Sequence, residues 1–167
     1  MKKKIAIILI IVLACGGYMW LCRDISMSEI FETIDVDYDA CVEKADRVEI
    51  IVPSEAIGAK IEKYKDKDKI VEIITDAHEL EKFFNECSKA KGSVAGNKGT
   101  SFEYDYAGQY AVFVYDDSDL LFEFYIMGDW LAPGKPNETH TYRLANYDLD
   151  NFICENYDEE PYTGMES

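Results

Sequence analysis

Asp35-Val-Asp37-Tyr-Asp39 is the sharpest chemical motif in this chain. Three alternating aspartates open the kind of oxygen-ligand loop that holds calcium, a hard cation. Counting on, Val42 takes the apolar eighth position and Asp46 brings a carboxylate to the twelfth. Ala40 stands where the sharp turn needs glycine, and the bidentate glutamate is missing. The stretch therefore reads as an acidic connector, and no metal ligands are assigned. Asp116, Asp117 and Asp119 are read as turn chemistry for the same reason: short acids bond their own backbone and favour turns. His78 and His140 are the only histidines. Neither belongs to a recognised nucleophile motif; a small hydrolase pairing one of them with Cys41 or Cys154 is the rival to a non-catalytic domain. The glycines of 91–101 do not stand between a strand and a helix, so no phosphate-cradling loop is expected. Cys41, Cys87 and Cys154 share no metal-site spacing. Cys87 reads as a buried thiol, with one bridge and one leftover thiol as the alternative. No catalytic, cofactor-binding or metal residue is assigned, and no enzymatic activity is expected.

Charge narrows the partners. Residues 1–23 hold four bases and no acid, which leaves 24–167 with 13 bases against 33 acids, a net −20. Such a surface repels nucleic acid and anionic headgroups and attracts cationic partners. The five lysines at 60, 63, 65, 67 and 69 form one basic patch, but Glu62, Asp66 and Asp68 interleave with it, so it reads as a solvated face. Asn137-Glu-Thr139 matches a glycosylation sequon and carries little weight in a bacterial-looking chain.

Lys2-Lys3-Lys4 precedes an uncharged run from Ile5 to Cys22, 18 residues long. As a helix the run would span roughly 27 Å, close to a bilayer core. The lysines place the N-terminus on the cytoplasmic side and the rest of the chain outside, with Tyr18 and Trp20 at the outer interface. Val12-Leu13-Ala14-Cys15 also resembles the lipobox of bacterial lipoproteins, which implies cleavage before Cys15 and lipid attachment to its sulfur. A cleaved signal ending near Ala14 or Gly16 is the third reading. All three hold or send the domain outside the cytoplasm.

The positioning elements follow from periodicity. Residues 23–46 read as a connector with a short helical piece near Met27–Glu32, and 47–157 as the globular domain. Arg47–Val52 alternates Val48, Ile50 and Val52 onto one face, and Pro53 ends it. Lys69–Asp76 reads as a strand leading to the N-cap Asp76, with one long helix from Asp68 as the alternative because Ile70, Ile73 and Ala77 continue the apolar stripe. The helix from Ala77 to about Ala90 then carries Leu80, Phe83, Phe84, Cys87 and Ala90 on one stripe. Residues 91–101 read as a glycine loop, with an edge strand at Ser101–Tyr106. Gln109–Tyr115 is apolar on both faces and should be central. Leu120–Met127 puts Leu120, Phe122, Phe124 and Ile126 on one face and Leu121, Tyr125 and Met127 on the other. Asp129–Glu138 reads as a loop, Thr139–Ala145 as a strand, and Asn146 as the cap of a last helix with Leu149, Phe152, Ile153 and Tyr157 inward. Residues 158–167 read as an acidic tail, opening with the run Asp158-Glu159-Glu160 and frayed beyond it. The expected fold is α+β: an antiparallel or mixed sheet with two helices on one face, preceded by the N-terminal hydrophobic helix.

Around Ile73-Ile-Thr-Asp-Ala-His-Glu-Leu-Glu-Lys-Phe-Phe84 the chain resembles uncharacterised exported domains of Gram-positive bacteria. The resemblance spans about residues 47–157 and rests on pattern: a Thr-Asp step from strand to helix, an aromatic hairpin, a strand and a closing helix. It implies an envelope protein and carries over no site residue. Leu121, Tyr125, Met127 and Trp130 are the expected contact surface, because one face of that hairpin must turn away from the core. The function expected is a membrane-held binding module for an extracytoplasmic protein or cell-wall component. A narrower version is an inhibitor or immunity protein.

Overall fold

The computed structural model describes residues 24–53, 69–94, 109–135, 139–144 and 148–158. The N-terminal hydrophobic run, the lysine-rich stretch 54–68 and the expected strand at 101–106 lie outside them, as does the sequon position Asn137. In chain order the elements are β1 (Ile25–Ser26), α1 (Met27–Glu32), α2 (Tyr38–Lys44), β2 (Arg47–Val52), β3 (Lys69–Ile74), α3 (Ala77–Lys89), β4 (Lys91–Val94), β5 (Gln109–Asp116), β6 (Asp119–Met127), β7 (Trp130–Pro133), β8 (Tyr142–Leu144) and α4 (Leu149–Asn156). The strands make one sheet in the order β1-β4-β8-β7-β6-β5-β2-β3. Every pairing is antiparallel. The α+β expectation is met in its antiparallel form.

Side-chain alternation sorts the sheet into two faces. Val48 pairs with Val114 and Ile50 with Val112, which pair in turn with Phe122 and Phe124. Tyr110 pairs with Ile126, Ile126 with Leu131, and Leu131 with Tyr142. All of these side chains are buried and share one cluster with Met27, Ile30, Phe31, Tyr38, Leu80, Phe83, Phe84, Cys87, Leu149 and Ile153. Each of the four described helices contributes to that list, so all four cover the same face. The other face carries no helix among the described residues.

Four helices rather than two are therefore packed on the sheet, and the difference comes from residues 24–46. That stretch is not a simple connector. Met27, Ile30 and Phe31 are at most 1% exposed, and Tyr38 is 5% exposed. Ser26 caps α1 by accepting from the Glu29 amide while Glu29 bonds back to the Ser26 amide, a reciprocal box that fixes the first turn. Lys91–Val94 is a strand, not a loop. A Cβ at Gly92 would meet Ile30 Cδ1 at 3.0 Å and Tyr142 Cβ at 3.1 Å, so this glycine permits the close approach of α1 to the sheet. Trp130–Pro133, read as loop, is strand β7 and joins β6 to β8. Asp148, not Asn146, caps α4, by accepting from the Asn151 amide. Asp76 caps α3 as expected, accepting from His78 and Glu79, and the whole predicted stripe on that helix is buried.

Two irregularities shift the faces. Between β5 and β6 the register slips after Val114, so Tyr115 pairs with Leu120. Leu120 is consequently 49% exposed, away from the core where alternation had put it. Leu121, the extra residue, packs partly against the core. Between β2 and β3 the register slips after Ile50: Ile51 pairs with Ile70, and Val71 is left over and packs partly against the core.

Asp158, the first residue of the acidic run, is held in the fold, and 159–167 lie outside the described residues. The Asp158 carboxylate is 2% exposed and pairs with Lys69 Nζ at 2.6 Å. The Tyr110 hydroxyl donates to the other oxygen at 3.2 Å. Burial, then the charge of Asp158, push the Tyr110 hydroxyl well above its ordinary pKa, so it stays a donor.

Asp150 sits in the first turn of α4 with one carboxyl oxygen enclosed and without a hydrogen-bond partner. Burial first, and neighbouring Asp148 second, push it up to about 7, while the Gly128 amide pulls the other way. A carboxyl raised from 3.8 to about 7 binds its proton more tightly in the folded state. Its contribution to stability is thus fully present below the lower value and is lost as pH rises through the upper one. Thermal melts of Asp150→Asn should run a few degrees above the parent at pH 8 and converge with it below pH 4. Parallel curves across that range would show that Asp150 is not the titrating group.

Candidate functional site

The aspartates of the calcium-like motif are committed to structure. Asp37 caps α2 by accepting from the Ala40 amide at 3.1 Å. Asp39 accepts from Ser28 Oγ at 2.9 Å. Tyr38 between them turns into the core, stacked on Phe31 at 5.2 Å. Asp35 takes a positive φ of 60° in the turn between α1 and α2, a conformation that aspartate tolerates. A shallow cleft of about 390 Å³ is lined there by Ser28, Glu29, Glu32, Asp35, Val36, Asp37 and Tyr38. Among the described residues, no group of three or more His, Cys, Asp or Glu is arranged to hold a metal ion. Asp117 likewise serves a turn, with its amide donating to Asp46 Oδ2 at 3.1 Å.

His78 and His140 are both exposed. A second cleft, between α2 and α3, is lined by Val42, Ala45, Ala77, Leu80, Glu81, Phe84 and Asn85, and neither cleft is lined by a histidine. Cys41, Cys87 and Cys154 are free thiols. Burial pushes the Cys87 thiol far up, which makes it a poor nucleophile, and burial raises Cys41 as well.

The helix-free face of the sheet brings more together. Pairing places Glu49 between Ile73 and Phe113, and Phe113 beside Glu123. The next row runs Ile70, Ile51, Ala111, Tyr125, Ala132. A third runs Gln109, Met127, Trp130, Arg143, Ser93. Phe113 and Tyr125 meet edge to face at 6.4 Å. Arg47 lies over the Tyr115 ring, 4.3 Å from its centroid, and forms an ion pair with Glu49 at 3.1 Å that lies off the line of the Arg47 Nε–H. Arg143 Nε reaches Asp129 at 2.7 Å. The result is an apolar and aromatic band edged by paired charges.

Of the four expected contact residues, Tyr125, Met127 and Trp130 are on this face and half-buried. Leu121 is not, because the register slip turns it toward the core. Sequence reasoning missed Ile51, Ile70, Ile73, Phe113 and Leu120. Ile70 at 63%, Leu120 at 49% and Ile73 at 44% are the exposed large apolar side chains among the described residues, and all three are paired onto this face. The apolar outer residues of β2 and β5 were a legible signal; the two slips were not.

Among the described residues no helix is long and apolar enough to cross a membrane, and residues 1–23, with Cys15, are not among them. No protein-family model matches the chain, and no curated protein or solved structure matches it either.

Proposed function

We propose that the chain is a membrane-held binding module whose domain lies outside the cytoplasm and docks a cationic protein on its helix-free sheet face. One observation carries the reading: four helices cover one face of the sheet, while the other, helix-free among the described residues, bears Ile70, Ile73, Phe113, Tyr125, Met127 and Trp130. Aromatic and methionine side chains edged by charge are what interface cores favour. The net −20 of residues 24–167 supplies the long-range attraction and selects a basic partner. A second copy of the chain is disfavoured by the same charge. The N-terminal run supports the location, since three lysines before 18 uncharged residues orient the rest outward. Attachment through lipid on Cys15 would hold the domain at the same surface. The role needs no catalytic group, in keeping with the capping and turn duties of the acids.

Affinity capture from the envelope fraction tests the proposal. A basic protein retained by the parent and by Asn85→Glu, a change on the helix side, should be lost from Met127→Glu and Trp130→Ala. The expected loss in affinity is at least about tenfold. Equal retention by all four proteins would place the contact elsewhere.

A further inference from the structure

The edge of the sheet makes the mode of recognition more specific. β3 ends the strand order, and among the described residues only β2 pairs with it. Its ladder to β2 leaves the Ile73 amide pointing the other way: that N–H donates to the side chain of its own neighbour, Glu72 Oε1, at 3.0 Å. A carboxylate folded back on an edge amide fills the place of a strand carbonyl. Beside this amide, Ile70 is 63% and Ile73 44% exposed. Natural edges are normally guarded by lysine or proline, and this one displays isoleucines at both positions that pair onto the helix-free face. The register slip at Val71 does not hide them.

We infer that β3 accepts an extended segment of the basic partner as an added strand. This rests on the binding-module reading and extends it. The partner's carbonyl replaces Glu72 at the Ile73 amide. Alternate side chains of the added strand then fall on opposite faces. Those on the helix-free side lie on Ile70 and Ile73, next to Ile51, and are apolar. Those on the other side stand beside Glu72, whose carboxylate is freed by the exchange, and are basic. Asp76, the cap of α3 two residues beyond the strand, adds negative charge close by. The preferred segment thus alternates an apolar and a basic residue, a period-two pattern that a cationic helix does not present.

The full chain in zwitterionic detergent micelles, probed with an eight-residue peptide alternating valine and lysine, provides the test. Amide exchange at Ile73 is fast in the free protein and slows at least about tenfold with the peptide bound. A peptide of equal charge with two valines replaced by proline gives no such protection. Ile73→Pro removes the donor without removing a bond to β2 and abolishes binding; Ile70→Lys with Ile73→Lys does the same by repulsion if the proline variant misfolds. Asn85→Glu, on the helix side, leaves peptide binding unchanged. Slow exchange at Ile73 before peptide is added, no change afterwards, or equal binding of the proline peptide would overturn strand addition. Should that happen while capture of the basic protein still depends on Met127 and Trp130, the face stands as the docking site and only the edge is excluded.

Discussion

Replacing Phe31 with alanine should lower the stability of the domain by about 3–5 kcal/mol, the range for emptying a buried phenylalanine site. Phe31 is fully buried, and its ring meets Tyr38 at 5.2 Å, Phe122 at 4.8 Å and Phe124 at 6.0 Å. Three aromatic neighbours around one ring leave little freedom to collapse into the void. Marginal domains have about 5–15 kcal/mol in total, so a loss of that size is a large share. A chain begun at Arg47 would lack Met27, Ile30, Phe31 and Tyr38, and with them the cover over Phe122 and Phe124. It should show no cooperative urea transition, whereas a chain begun at Asp24 should. Two equal transitions would mean that residues 24–46 are dispensable.

The second large effect is expected at Asp158. Its carboxylate is 2% exposed and takes Lys69 on one oxygen and Tyr110 on the other. Asp158→Ala would leave an ammonium that is only 19% exposed and a buried hydroxyl without this partner. Breaking a buried pair from one side costs about 3–5 kcal/mol, mostly as the desolvation of the group left behind. Asp158→Asn, which keeps the shape and the Tyr110 contact, should cost less. The double change Lys69→Met with Asp158→Leu should recover much of the loss, because neither charge is then stranded. Urea titrations of the four proteins decide the matter. If Asp158→Ala costs no more than a surface change, the pair is solvated in solution. The pairing also bears on binding: Lys69 begins β3, so Asp158 tethers the strand whose edge is proposed to be the docking line.

Much of the fold was legible because the strongest signals were local. Asp76 before the stripe Leu80, Phe83, Phe84, Cys87 gave α3 from one turn to the last, and strict alternation in Arg47–Val52 gave both the strand and its inward face. What failed was set by distant partners. The helical piece at Met27–Glu32 was expected and is there, but its place in the core was not, because its apolar positions have meaning only against Phe122 and Phe124. Gly92 signalled a loop; it is there because Ile30 and Tyr142 approach its α-carbon. Asp158 stands in an acidic run, and nothing local shows that Lys69, 89 residues earlier, lies beside it.

The contact surface was partly legible for the same reason. Tyr125 and Met127 follow from alternation once β6 is recognised, and Trp130, just past its end, reaches the face by pairing with Met127. Leu121 does not, because one extra residue reverses the sides of a strand. Ile70 and Ile73 looked like one apolar run with Val71 and Ile74, and the slip opposite Ile50 decides which of them face outward. The candidate surface therefore moved toward the β3 edge, where exposure is greatest.

Photo-crosslinking in the native membrane tests the central claim most directly. A benzophenone side chain placed at Met127, at Ile70 or at Asn85 samples the helix-free face, its edge and the helix side in turn. The account predicts adducts from positions 127 and 70 to one basic extracytoplasmic protein, and none from 85. Adducts from position 85 alone, or an acidic partner at any position, would contradict it.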